Sequence, residues 1–345
     1  MHMAKVWTLR FSLPGPSGER LRLVPFFLPF AGCPGRCVFC DQHAQTGQGA
    51  VSPDASLREL EERLASQSGP FGLGFFGGTF TGLPAAWQDR FLEVASRFRG
   101  PEGLTHVRVS TRPDRVDPQI LARLRRHGVD MVELGVQTFD SAVLDRSGRS
   151  YGGETAAGAC KLVRDAGLGL GIQLLPGLPG HDASAWRVDV ERTLALRPDV
   201  VRIYPCVVMA GTGLQEMHER GEYAPWSVDE AVGECGWALL AFWEAGVQVI
   251  RLGLAGEPDM LARLVAGPWH PAFGNMVRSL ALRLFLEQRL RAAGGRPVRI
   301  FVPARLNGEL WGHGRANAAA LAGLGIVKER VTFWQEPDFA LELEG

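Results

Sequence analysis

From about residue 22 to about residue 252 the chain alternates short apolar runs with amphipathic stretches. Runs of strand length fall at 22–29, 72–76, 105–110, 129–136, 168–175, 200–205 and 247–252. They are near-continuously apolar, the pattern of strands covered on both faces. Amphipathic segments lie between most of them. The one at 118–127 has Asp117 before it, Pro118 at its first position and Gly128 just past its end, a bracket that predicts a helix. The segment at 54–66 has Ser52 or Asp54 as a candidate cap beside Pro53. Strands separated by helices pair in parallel through right-handed crossovers. Six or seven such βα units fit a doubly wound sheet or a barrel, complete or partial, and periodicity does not choose between them. After residue 265 the pattern changes to a long helix at 272–292, a strand at 297–302, a helix at 307–322 and a strand near 330–335. The expected division is an N-terminal segment 1–20, an α/β domain 21–265 and a C-terminal α/β appendage 266–345.

The length of 345 residues suits two domains or one large barrel, at about 150 residues per domain. With 46% apolar and 21% charged residues, the chain can fill a core and is not disordered. Lys and Arg total 37, as do Asp and Glu, so an electrostatically driven nucleic-acid binder is disfavoured, although a local basic patch is not. No run of 18 apolar residues could span a membrane, and the N-terminus lacks the apolar core of a secretory signal. A cytoplasmic protein is expected.

The unusual residues collect where strands end: the cysteine loop AGCPGRCVFC, then GGTFTGLP, STRPD, VQTFD, PGLPG and PCVV. In parallel α/β folds chemistry gathers on that rim. Cys33, Cys37 and Cys40 form C-x3-C-x2-C with Phe39 before the last thiol. Three thiolates can hold a [4Fe–4S] cluster with one iron left open. Adding His43 gives a three-Cys, one-His set that zinc would also accept. Free buried thiols are the third reading.

The loop, with Phe39 in the aromatic slot, resembles the signature of the radical S-adenosylmethionine (radical SAM) superfamily. That resemblance implies a partial parallel (β/α)6 barrel, a [4Fe–4S] cluster on Cys33, Cys37 and Cys40, and S-adenosylmethionine as second cofactor. The downstream motifs are similar too. FFGGTF supplies Gly77, Gly78 and Thr79 for the methionine moiety, and STRPD supplies Ser110 and Arg112. The run 135–151 implies Gln137 for the ribose hydroxyls and Arg149 for the cofactor carboxylate, with Tyr151 in place of the family's histidine. GIQLLPGLPG implies Gln173 as a ribose contact.

Coproporphyrinogen oxidases carry acids at the positions of Ser110 and Gln173. With VRIYPCVV, this makes the chain resemble instead the radical domain of the Elongator catalytic subunit. Arg202, Tyr204 and Arg251 would then face the substrate, and Cys206 could donate a hydrogen atom. The resemblance implies a reducing partner such as a flavodoxin or ferredoxin and is compatible with RNA as substrate. It covers roughly 21–255, and 256–280 more faintly. The remaining residues are too few for a full acetyltransferase domain, so acetyl transfer is not expected. In the tail, His270 and Arg278, and His313 and Arg315, are the polar residues of interest; helix packing and a turn are the simpler readings. Two other functions compete: a tetrapyrrole or small-molecule radical enzyme, and a zinc-stabilised binding protein.

Overall fold

The computed structural model describes residues 6–15, 21–29, 31–41 and 52–344. The strands run in chain order β1 (Val6–Phe11), β2 (Leu23–Leu28), β3 (Phe71–Gly77), β4 (Leu104–Thr111), β5 (Met131–Gln137), β6 (Gly169–Leu174), β7 (Val200–Ile203), β8 (Val208–Met209), β9 (Gln248–Leu252), β10 (Leu264–Ala266), β11 (Arg296–Pro303), β12 (Val331–Trp334) and β13 (Phe339–Glu344). They fall into two compact units: Ser17–Ser227 with Val249–Trp269, and Met1–Pro16 with Val228–Gln248 and His270–Gly345.

The first unit carries a seven-stranded sheet of order β2-β3-β4-β5-β6-β7-β9, parallel wherever its register is defined. Strands and helices alternate as the apolar runs predict. Helix Pro53–Ala65 is capped by Ser52, and helix Pro118–Arg126 by Asp117, whose side chain accepts from Ile120 N at 2.7 Å. β5 is buried along its whole length. Alternate residues of a strand face opposite ways, so Val132, Leu134 and Val136 turn to one face and Glu133, Gly135 and Gln137 to the other. The sheet is curled into a partial barrel: the Arg202 guanidinium lies 4.8 Å from the Phe76 ring centroid although three strands, β4, β5 and β6, lie between β3 and β7. The concave face is a lumen. Gly74 shapes it, because a Cβ there would stand 2.4 Å from the Phe76 ring.

The second unit is a four-stranded sheet of order β1-β13-β11-β12, with helices Val228–Glu244 and Phe273–Ala293. The helices meet where Gly236 leaves room for Leu280. Phe11 stacks on Phe339 at 5.2 Å and meets Phe285 edge-on. The pattern after residue 265 is found with one correction. The helix expected at 307–322 is broken into Asn307–Leu310, His313–Arg315 and Ala318–Gly323. Gly312, Gly314 and Arg315 all have positive φ, which a continuous helix cannot accommodate. Four strands were not anticipated: β8 and β10, which pair with each other in the first unit, and β1 and β13. β1 and β13 pair antiparallel from Val6↔Glu344 to Phe11↔Phe339, so a stretch of the N-terminal segment is sheet.

Candidate functional site

A cavity of about 520 Å³ opens along the lumen and its rim in the first unit. Its lining includes every residue singled out above for metal, cofactor or catalysis, except His43, which lies outside the described residues. Cys33, Cys37 and Cys40 sit on one side, with Gly77, Gly78 and Thr79 beside them. Ser110, Arg112, Gln137, Arg149 and Gln173 continue the wall, and Tyr204 and Cys206 close it.

The cysteine loop follows β2 and is fastened through its backbone. Gly78 N donates to Leu28 O at 2.9 Å and Thr79 N to Ala31 O at 2.7 Å. Further along, Val38 N donates to Ser147 O, and Leu214 N to Val38 O. A Cβ on Gly78 would stand 2.1 Å from the Ala31 carbonyl oxygen. Glycine is therefore needed here for loop packing as well as for an open cavity edge. The Thr79 hydroxyl lies 3.2 Å from Cys33 Sγ.

Gln137 ends β5 with φ 71°, left-handed backbone in a residue other than glycine. Such strain persists only where the surroundings impose it. Its Oε1 is buried without a hydrogen-bond partner among the described residues. Arg149 is in the same condition on one side only: Nη1 donates to Gly135 O at 2.6 Å and to the Tyr151 hydroxyl, while Nε is buried and unpartnered. Burial works against its charge, but the Tyr151 oxygen and Cys37 more than offset this, and the guanidinium pKa stands above its ordinary value. Tyr151, the family's histidine position, is buried with its ring facing both Arg112 and Arg149, and its hydroxyl donates to Gly135 O.

Arg112 is answered within its own turn. Asp114 takes Nε and Nη2 at 2.8 and 3.0 Å, and Arg112 Nη1 reaches Cys37 Sγ at 3.9 Å. Asp114 thus pairs with Arg112, and Asp117 does the capping of the following helix. Gln173 Nε2 donates to Ser110 Oγ at 3.1 Å, a neutral pair. Cys206 is buried, and burial pushes its thiol up to about 12.

Deeper in the lumen stands Glu133, fully buried and missed by the sequence reading. Arg202 Nε and Nη2 donate to its two oxygens at 2.5 and 3.2 Å, and Arg108 Nη1 lies 3.6 Å away. Arg202 Nη1 donates to the Tyr204 hydroxyl at 3.3 Å. A signal was available: Glu133 is the one charge inside the apolar run MVELGVQ. The tail motifs belong to the second unit, where His270 and His313 rings meet at 5.0 Å, Arg278 lies 3.8 Å from Glu309 and Arg315 is exposed.

Comparison with known families matches the radical SAM superfamily over residues 27–192 and the radical SAM C-terminal domain over 198–281. The chain belongs to the radical SAM superfamily. As a radical SAM protein it is an enzyme, and its cofactors are a [4Fe–4S] cluster and S-adenosylmethionine. It is 28% identical over 247 residues to a tRNA uridine(34) acetyltransferase of Methanocaldococcus jannaschii, covering 58% of this chain and 45% of that one. It is 26% identical over 177 residues to human Elongator complex protein 3, covering 45% and 32%. The chain thus spans about half the length, or less, of these relatives. The solved structure of archaeal Elp3 from Methanocaldococcus infernus superposes with a TM-score of 0.59 at 22% identity, covering 78% of this chain and 64% of that one, a likeness of fold.

The residues present fit the radical SAM cofactors. Three thiols, an orphaned amide oxygen and an orphaned guanidinium nitrogen line one cavity. Among the described residues no three His, Cys, Asp or Glu side chains make a single-ion site. A cubane differs in kind, since each thiolate takes a separate iron corner. No helix among the described residues is long and apolar enough to cross a membrane.

Proposed function

We propose that this is a radical SAM enzyme of the Elongator-like branch, with Cys33, Cys37 and Cys40 holding the cluster at the rim. These three thiolates would hold the cluster, which when bound would supply the one-electron reduction that cleaves S-adenosylmethionine. The carrying observation is that the three thiols share one cavity with the unpartnered Gln137 Oε1 and Arg149 Nε. A buried polar atom left without a partner costs about 1–3 kcal/mol, so these two atoms mark where a ligand docks.

In this reading Gln137 accepts from the ribose hydroxyls and Arg149 donates to the methionine carboxylate. Gly77, Gly78 and Thr79 form the edge along which the methionine chain lies. Arg112, already neutralised by Asp114, steadies the thiolate of Cys37. Ser110 and Gln173 present a neutral surface to the nucleoside. That neutral pair, in place of acids, supports the Elongator-like branch over a coproporphyrinogen oxidase. Tyr204 and Cys206 stand on the substrate side, where the high pKa of Cys206 keeps it a thiol able to give up a hydrogen atom. The reductant is a one-electron carrier such as a flavodoxin or ferredoxin, and the enzyme works in the cytoplasm. The names of the tRNA-modifying relatives support RNA as the substrate class.

Anaerobic purification with iron and sulfide analysis, then dithionite and S-adenosylmethionine, tests the reading. About four irons per chain and release of 5′-deoxyadenosine are expected. Cys37→Ala should reduce 5′-deoxyadenosine to the enzyme-free background, and product retained in that variant overturns the assignment.

A further inference from the structure

The lumen below the rim holds positive charge that the described residues answer only in part. Glu133 is one carboxylate facing two guanidiniums, Arg108 and Arg202. Arg108 Nε is buried and has no hydrogen-bond partner among the described residues. Beyond them Arg251 lines the same cavity, where its Nε donates to Gly253 O at 3.2 Å and it makes no ion pair among the described residues. Glu257, the one carboxylate on the cavity lining among the described residues, is exposed, where solvent screens it. The lumen therefore carries surplus positive charge in guanidinium form, the geometry that meets carboxylate and phosphate with paired hydrogen bonds.

The rest of the wall says what accompanies that anion. Phe27 and Phe76 meet at 6.1 Å between ring centroids, and Arg202 stacks on Phe76. Bound to Arg202 through its oxygen, the Tyr204 hydroxyl keeps its own proton to donate. Leu23 and Pro25 complete an apolar side.

We infer that the lumen binds the reaction's substrate through an anionic group, a carboxylate or a phosphate. Arg251 and the Tyr204 hydroxyl are its donors, and an apolar or planar body of the same molecule packs on Phe27 and Phe76. The inference rests on reading the rim as the cofactor site, because only then is the lumen the substrate's place. Arg202 is not a principal donor. Glu133 holds it over the Phe76 ring, which makes Glu133 a positioning residue that also sets how much positive charge is left over.

The test is calorimetric titration of the reconstituted holoenzyme, saturated with S-adenosylmethionine and without reductant, using inorganic phosphate and, separately, succinate. Saturable binding of at least one probe is expected, and which one binds tells phosphate from carboxylate. Arg251→Gln should weaken that binding about ten-fold or more, the loss of a charged hydrogen bond. Because Arg251 makes no ion pair among the described residues, this variant should keep its iron content and its affinity for S-adenosylmethionine. Glu133→Gln, if it folds, should change affinity in the opposite direction and tighten it several-fold. No saturable binding of either probe, or unchanged binding in Arg251→Gln, overturns the inference. Loss of iron or of S-adenosylmethionine binding in the wild type would instead overturn the reading of the rim.

Discussion

The rim and the lumen of this cavity each use guanidinium groups, and each has one that a carboxylate grips through two hydrogen bonds and one that no carboxylate pairs with among the described residues. At the rim Asp114 closes Arg112, while Arg149 has no carboxylate among its partners and keeps a bare Nε. In the lumen Glu133 closes Arg202, while Arg251 stands without an ion pair among the described residues. A buried ion pair repays its desolvation only with good geometry and full hydrogen bonding. The answered arginines therefore act as framework, and the open ones are where the protein has left a charge for something else to complete. The difference between the two places lies in what fixes the framework. Asp114 is two residues from Arg112, whereas Glu133 and Arg202 are 69 apart and join β5 to β7.

That contrast can be broken most severely at Glu133. Glu133→Ala removes the one acidic partner that Arg202 and Arg108 have among the described residues, and should cost about 3–5 kcal/mol by urea unfolding; a cost under 1 kcal/mol would show the pair to be incidental. Next comes the loop packing behind the rim. Gly78→Ala sets a methyl against the Ala31 carbonyl, and should cost about 1–3 kcal/mol and lower the iron retained on reconstitution, with normal iron content as the contrary result.

Gln137→Ala tests the open side of the rim alone. Affinity for S-adenosylmethionine should fall about ten-fold, in line with the loss of one or two hydrogen bonds, with iron content unchanged; iron loss would mean that Gln137 supports the cluster loop instead. The smallest effect is on pH. Burial raises Cys206 and Cys160 to about 12. The folded state therefore holds these protons after the unfolded chain has released them. Stability should be flat below the ordinary thiol range and decline as pH rises from about 9 toward 12, by up to about 1.4 kcal/mol per pH unit for each thiol. Cys206→Ala should make that slope shallower in unfolding curves taken at pH 8, 9 and 10.

Much of this was readable beforehand where local chemistry decides the outcome. The apolar runs locate the parallel strands to within a few residues, and the Asp117–Pro118–Gly128 bracket marks its helix because capping is a matter of neighbouring residues. The cavity lining followed from motifs at strand ends. Long-range geometry was less legible. β1 and β13 form because the two ends of the chain meet, and neither short segment declares itself alone. The break at 312–315 depends on left-handed backbone at Arg315 as well as on two glycines. Glu133 was visible as a charge in an apolar strand, but its partner on β7 emerges only once the sheet curls.

The fastening of the cysteine loop has a consequence for tolerance to change. Its ties run from main chain to main chain, at Gly78, Thr79, Val38 and Leu214. None of them depends on which side chain sits at Pro34 or Gly35, which are exposed, and a Cβ at Gly35 would meet nothing within 4 Å. The spacing of the thiols is thus written in the peptide backbone, while these two residues after the first thiol are open to drift, and a library randomised at those two positions should yield many folded proteins that still load iron.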